Sequence, residues 1–230
     1  MGYRSLREEA FAANMEIPKN RLAVYTWGNV SAFDSSRAVF AIKPSGVAYD
    51  ELSEDAMVVV DLEGTIVEGK LKPSSDTETH RVLYRNFTGI GGVTHTHSPY
   101  ASAWAQACKA VPVFGTTHAD YGAEEIPCTA YLSEAAMKHN YEKETGNLIV
   151  ETFDRQKKNP LHMTMVLVAG HGPFTWGESA ARSVHCAVVL EEICKMGQLT
   201  LSLKSDAALP DYLIRKHWER KHGPNAYYGQ

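Results

Sequence analysis

The stretch Gly91-Gly92-Val93-Thr94-His95-Thr96-His97-Ser98 constrains what this chain can fold into more than any other. A short apolar run leads into two histidines spaced i, i+2. Side chains on a strand alternate between faces, so both imidazoles leave it on the same side. A second apolar run, 165–169, ends in a similar way, in Gly170-His171-Gly172-Pro173. Imidazole is the commonest biological metal ligand and suits Zn, Cu, Fe or Ni. Three histidines with no fourth protein ligand leave a coordination position open, which is how catalytic rather than structural zinc sites are built. A plainer reading makes His95, His97 and His171 pocket or core histidines held by hydrogen bonds; the i, i+2 spacing at a strand end favours the metal.

The 230 residues suit one domain with a substantial core. A formal net charge of −4 gives no electrostatic reason to expect nucleic acid or an anionic membrane as partner. No apolar signal segment follows a basic start, and the longest apolar run, 163–170, is far short of a membrane span. Cys108, Cys128, Cys186 and Cys194 lack CxxC spacing, which points to reduced thiols and a cytoplasmic protein.

Periodicity gives a single α/β domain over residues 1–230, without repeats or linkers. A helix over 3–17 stops at Ile17-Pro18, and strand, turn, strand follow over 22–33 about Gly28-Asn29. A strand at 38–42 breaks at Lys43-Pro44-Ser45-Gly46, and 57–61 with 65–68 form a hairpin about Glu63-Gly64. Ser75-x-x-Glu78 reads as a capping box opening a helix on which His80, Leu83, Tyr84 and Phe87 share a stripe. Helices are expected at 99–107, 133–144, 178–196 and 209–221. On the third of these Cys186, Val189, Leu190, Ile193, Cys194 and Gly197 form the apolar face, with Glu191 and Lys195 paired on the outer one.

Lys72-Pro73-Ser74-Ser75-Asp76 stands at an expected helix start, where free N–H groups and serine hydroxyls suit an anion, although simple capping accounts for it equally well. Trp27-Gly28-Asn29 and Lys43-Pro44-Ser45-Gly46 are two further turns of the same chemistry. Each alone is weak; three beside a metal centre suit a phosphorylated substrate. Thr116-Thr117-His118-Ala119-Asp120 offers a carboxylate that reads as a turn former or surface group, and Glu142 and Glu144 read as a solvated helix face. The adjacent Tyr227-Tyr228 suggest a segment that docks into its own subunit or a neighbour, and a tuned tyrosine hydroxyl can transfer protons. A zinc hydrolase is disfavoured, since no His-Glu-x-x-His helix is present.

Taken together, Thr26-Trp27-Gly28-Asn29-Val30-Ser31, Ile42-Lys43-Pro44-Ser45-Gly46-Val47, Lys72-Pro73-Ser74-Ser75-Asp76, His95-Thr96-His97, Thr116 to Tyr121, Gly170-His171-Gly172-Pro173 and Tyr227-Tyr228-Gly229-Gln230 resemble the class II aldolase/adducin-head family, in particular its ketopentose-phosphate 4-epimerases. The resemblance implies a three-layer α/β/α fold around a mostly antiparallel sheet, assembled as a homotetramer with active sites at subunit interfaces. It implies one Zn2+ per subunit (or Mn2+ or Co2+) on His95, His97 and His171, with Asp76 beside or on the metal. Gly28, Asn29, Ser45, Gly46, Ser74 and Ser75 would hold the substrate phosphate. Asp120 and Tyr228 would transfer protons, at least one of them from an adjacent subunit, with Glu142 and His217 near the site. The reaction implied is interconversion of L-ribulose 5-phosphate and D-xylulose 5-phosphate by retro-aldol cleavage and re-formation of the C3–C4 bond, in arabinose or ascorbate-type catabolism. Related aldolases that cleave a deoxy-ketose 1-phosphate carry a glutamate after the Ser-Ser pair, where this chain has Asp76. Adducin-like interaction modules would not need the three histidines.

Overall fold

The strands alternate between two buried faces, and each face has its own core. In a computed structural model, which describes residues 2–224, 226 and 227, seven strands form one sheet. They are β1 (Asn29–Asp34), β2 (Val39–Ile42), β3 (Val58–Asp61), β4 (Ile66–Glu68), β5 (Gly92–His95), β6 (Met165–Leu167) and β7 (Pro173–Gly177). Their order is β4-β3-β2-β1-β5-β7-β6, with every neighbouring pair antiparallel. The helices are α1 (Arg4–Lys19), α2 (Thr77–Asn86), α3 (Pro99–Gln106), α4 (Thr116–Ala119), α5 (Glu134–Met137), α6 (Tyr141–Gln156), α7 (Ala180–Leu203) and α8 (Asp211–His222).

Small side chains line one face of the sheet. Val30, Ala32, Val39, Ala41 and Val59 pack there against Leu6, Ala10, Ala13 and Ile17 of α1 and against Ala180, Val184 and Ala187 of α7. Large ones line the other, where Phe40, Ile42, Val93, Phe174 and Trp176 cluster with Leu83 of α2, Phe87 just past its end, and Ile149 and Phe153 of α6. Full burial of each such side chain is worth about 1.5–3 kcal/mol. The expected three-layer α/β/α arrangement around an antiparallel sheet is therefore the observed one.

Two glycines let α7 close over β5. A Cβ at Gly92 would lie 2.4 Å from the Ala180 backbone, and one at Gly91 would lie 2.2 Å from the Glu178 carbonyl oxygen. The Gly91-Gly92 pair ahead of the histidines is thus a packing requirement of the helix that follows β7.

Several local expectations change in the folded chain. Residues 22–28 form no strand; left-handed backbone at Tyr25 (φ 55°) and Gly28 (φ 76°) turns the segment out of the sheet. The expected 133–144 helix is two, because Asn140 accepts the Lys143 N–H through its side chain and starts α6 afresh. The capping box does not form: α2 begins at Thr77, no side chain caps it, and Glu78 pairs with Arg81. Glu191 is buried rather than outward, accepting the Tyr100 and Ala101 N–H groups at the start of α3. Strand β7 had no sequence signal beyond Gly-Pro. The four cysteines are free, as expected.

Two predictions follow from the packing. Gly92→Ala forces a methyl into backbone that cannot yield, and should destabilise the protein by about 3 kcal/mol, the upper end for overpacking. Urea unfolding measures this, and an unchanged midpoint would mean that α7 does not sit so close to β5. The second concerns His80 and His118, both buried, whose burial lowers them to about 3 and about 4 from an ordinary 6.5. The unfolded chain then binds protons below about pH 6.5 that the native one does not, so stability is present above that pH and falls as pH drops toward 4. The expected slope is roughly 1.4 kcal/mol per pH unit for each histidine, less in His118→Asn. Equal slopes in variant and parent would remove His118 from this account.

Candidate active site

Register brings the site together. Antiparallel pairing sets Asn29 of β1 opposite His95 of β5, and His95 opposite Phe174 of β7. The Phe174 ring stacks on His95 with centroids 4.2 Å apart. The Pro173 carbonyl lies 2.9 Å from His95 Nδ1. A carbonyl only accepts, so Nδ1 carries the proton and Nε2 presents a lone pair. That lone pair faces His97 Nε2 at 3.0 Å. His171 arrives on the turn between β6 and β7, its ring 4.7 Å from His95 and 5.0 Å from His97. Ligand atoms of the three residues all lie within 4.8 Å of one another.

All three rings are held neutral. Burial, then the neighbouring His97, pushes His95 down to about 3 against the pull of the Pro173 carbonyl. Burial and His95 lower His171 to about 3, with Asp76 opposing, and burial lowers His97 as well. Converging unprotonated imidazoles with one tautomer already fixed fit a borderline divalent cation such as Zn2+.

The three turns expected to hold a phosphate reach the same place. Gly28, Asn29, Ser45, Gly46, Ser74 and Ser75 line one cleft of about 430 Å³ with Asp76, His95, His97 and His171. Reciprocal backbone bonds tie two of these turns, Ser45 N–H to the Lys72 carbonyl and Ser74 N–H to the Lys43 carbonyl. Gly28 is needed for its left-handed backbone and because a Cβ there would lie 2.9 Å from the His95 carbonyl oxygen. The Asp76 carboxylate, released from helix capping, accepts from Asn29 Nδ2 at 2.6 Å. Asn29 Oδ1 is buried without a partner among the described residues, an acceptor lying at the cleft.

Three cleft residues gave less signal in the sequence. Lys43 is buried and gives its ammonium to the Val47 carbonyl at 2.6 Å and the Thr26 carbonyl at 3.3 Å; burial lowers its pKa. A lysine at the end of an otherwise apolar strand was the available clue. Tyr141 and Glu142 line the cleft from the start of α6, so Glu142 does not belong to a purely solvated face.

Asp120 lies elsewhere in the subunit. It is buried beside α8, where Arg220 donates to both carboxylate oxygens at 3.0 and 2.6 Å and His217 Nδ1 lies at 3.1 Å. Burial alone would raise this carboxyl, but the hydrogen bonds from Arg220 and His217 and the charges of Arg220 and Lys221 outweigh it and hold it below its ordinary value. It does not line the histidine cleft of its own chain. Tyr228 lies outside the described residues.

Comparison with known proteins agrees with this geometry. The model of the Class II Aldolase and Adducin N-terminal domain matches residues 8–197. The chain is 50% identical over 228 residues to L-ribulose-5-phosphate 4-epimerase UlaF of Salmonella paratyphi A, covering 99% of each. It is similar at the same level to the protein of that name from Salmonella typhi. Among solved structures, an L-fuculose 1-phosphate aldolase shares the fold with a TM-score of 0.80 at 23% identity, over 96% of this chain and 97% of that one. The l-fuculose-1-phosphate aldolase of Thermus thermophilus does so with a TM-score of 0.68 at 21% identity, over 91% and 100%. This chain belongs to the class II aldolase and adducin N-terminal domain family.

Proposed function

We infer that the protein is a sugar-phosphate 4-epimerase that interconverts L-ribulose 5-phosphate and D-xylulose 5-phosphate. The observation that carries this reading is the convergence of three neutral imidazoles and three phosphate-type turns on one cleft. The names of relatives at 50% identity support the choice of substrate.

The chemistry explains why such a cleft needs both parts. C4 of a 2-ketopentose is β to the carbonyl, so its hydrogen is not acidic and direct deprotonation is a poor route to inversion. Cleavage of the C3–C4 bond is better, because the electron pair left on C3 delocalises into an enediolate. His95, His97 and His171, with Asp76 beside them or as a further ligand, would hold a divalent cation, which would supply Lewis-acid stabilisation of that charge. Zn2+ suits three imidazoles, as do Mn2+ and Co2+.

The chain's own groups hold and turn the other fragment, glycolaldehyde phosphate. Gly28, Asn29, Ser45, Gly46, Ser74 and Ser75 keep its phosphate in place while its carbonyl rotates to present the opposite face. Re-forming the bond then inverts C4, and the anchored phosphate keeps the fragment from leaving. Two faces need two proton-transfer groups, and Asp120 and Tyr228 fill these roles, one for each face. Arg220 and His217 keep Asp120 ionised and fixed in place. Its place outside the cleft of its own subunit suits an assembly in which Asp120 serves a neighbour, and the family resemblance makes that assembly a homotetramer. In this reading the enzyme is cytoplasmic, where its free thiols stay reduced.

A coupled assay that supplies L-ribulose 5-phosphate and follows D-xylulose 5-phosphate, with and without chelator, tests the reading. Chelator-sensitive conversion is expected. Release of dihydroxyacetone phosphate from a deoxy-ketose 1-phosphate instead would make the protein an aldolase, and neither activity would leave a binding module. Tyr228→Phe should lower kcat by about 100-fold or more, within the range of acid–base contributions, with zinc content per subunit unchanged. Unaltered kinetics would take Tyr228 out of the mechanism.

A further inference from the structure

His95 and His171 differ in how their rings are held. His95 has the Pro173 carbonyl behind Nδ1, which fixes its tautomer. His171 meets no carbonyl there among the described residues. Among the described residues, the hydrogen-bonding partner of its ring is the Tyr141 hydroxyl, 3.3 Å from Nδ1. The two rings stand 6.0 Å apart, tilted by 43°. With Nδ1 engaged by Tyr141, Nε2 is the nitrogen left to face His95 and His97.

Only one direction of this bond is compatible with three ligating imidazoles. If the tyrosine proton were donated to Nδ1, a neutral His171 would carry its own proton on Nε2, in the middle of the cluster. If Nδ1–H donates to the hydroxyl oxygen, Nε2 is bare. Histidine ligands generally donate their other ring N–H to an oxygen acceptor, which sets the tautomer and the ring orientation.

Tyr141 is placed for this by a rigid scaffold. It is the first residue of α6, whose start is capped by Asn140, and Thr145 Oγ1 donates to the Tyr141 carbonyl at 2.8 Å. Thr79 Oγ1 of α2 donates to the carbonyl of the adjacent Glu142 at 2.6 Å. One turn further on, Gly146 lies so close to α2 that a Cβ would meet Val82 Cβ at 2.7 Å. α2 and α6 are thereby locked together, and Asp76, just ahead of α2, and Tyr141, the first residue of α6, both line the cleft.

We propose that Tyr141 is a positioning residue whose hydroxyl oxygen accepts His171 Nδ1–H, selecting the tautomer and ring orientation with which His171 offers Nε2 to a divalent cation. The proposal rests on the metal-dependent reading above. Its test is zinc affinity, which can be measured apart from turnover. Zinc-loaded wild type and Tyr141→Phe are titrated with a chromophoric chelator, and the melting temperatures of both are recorded after the zinc is stripped. The variant keeps the ring and loses only the oxygen. It should release zinc with a Kd about 10- to 100-fold weaker, the usual cost of losing such a partner, while the stripped proteins melt together. Equal zinc affinities overturn the proposal, as does a stripped variant that melts lower, since that would assign the hydroxyl to folding. Failure of the wild type to hold zinc at all would instead sink the metal-dependent reading.

Discussion

The site depends on the register of β5 between β1 and β7. Side chains on a strand repeat every second residue, so a slip of one position would turn His95 to the opposite face and bring Thr94 toward the cleft. What holds the register is packing on the two faces at once. Val93 is locked into the large-residue core, while Thr94 meets Ser183 of α7 at 2.6 Å on the other side. The glycines before them admit α7 at a distance no other residue allows. From that register come the pairings that set Asn29, His95 and Phe174 abreast.

Around this row, burial does electrostatic work. Three imidazoles gathered at one end of the sheet are kept neutral chiefly because burial makes a charged ring costly, with neighbouring imidazoles adding to the effect at His95 and His171. Neutral rings are what a cation requires of its ligands. The opposite case lies at the phosphate turns, where Lys43 keeps its ammonium against two backbone carbonyls and stitches the 26–29 and 43–47 turns together. The cleft is thus lined by imidazole nitrogens, serine hydroxyls and a lysine together.

Asp120 introduces a third element. Its two carboxylate oxygens and its carbonyl are all engaged by α8, through His217, Arg220 and His222. Arg220 and Lys221 of that helix set positive charge beside the carboxylate, which does not line the histidine cleft of its own chain. Within one protomer the cleft and the Asp120 carboxylate are therefore separate features.

The sequence by itself determined the kinds of element and the residues that carry chemistry. His-x-His on one strand face, three Gly/Ser/Asn turns and the apolar stripe of α7 are local patterns, legible because a strand repeats in two residues and a helix in 3.6. Tertiary structure decided which partner each polar group takes. Ser75-x-x-Glu78 had the spacing of a capping box, yet Asp76 turns to Asn29 and Glu78 to Arg81. Glu191 had the spacing of an outer-face pair, yet it caps α3. Tyr141 gave no signal until α6 packed on α2 and brought its hydroxyl to His171. A polar side chain near the surface has several partners of similar energy within local reach. The choice among them falls to elements distant in sequence, whose arrival only the packed fold reveals.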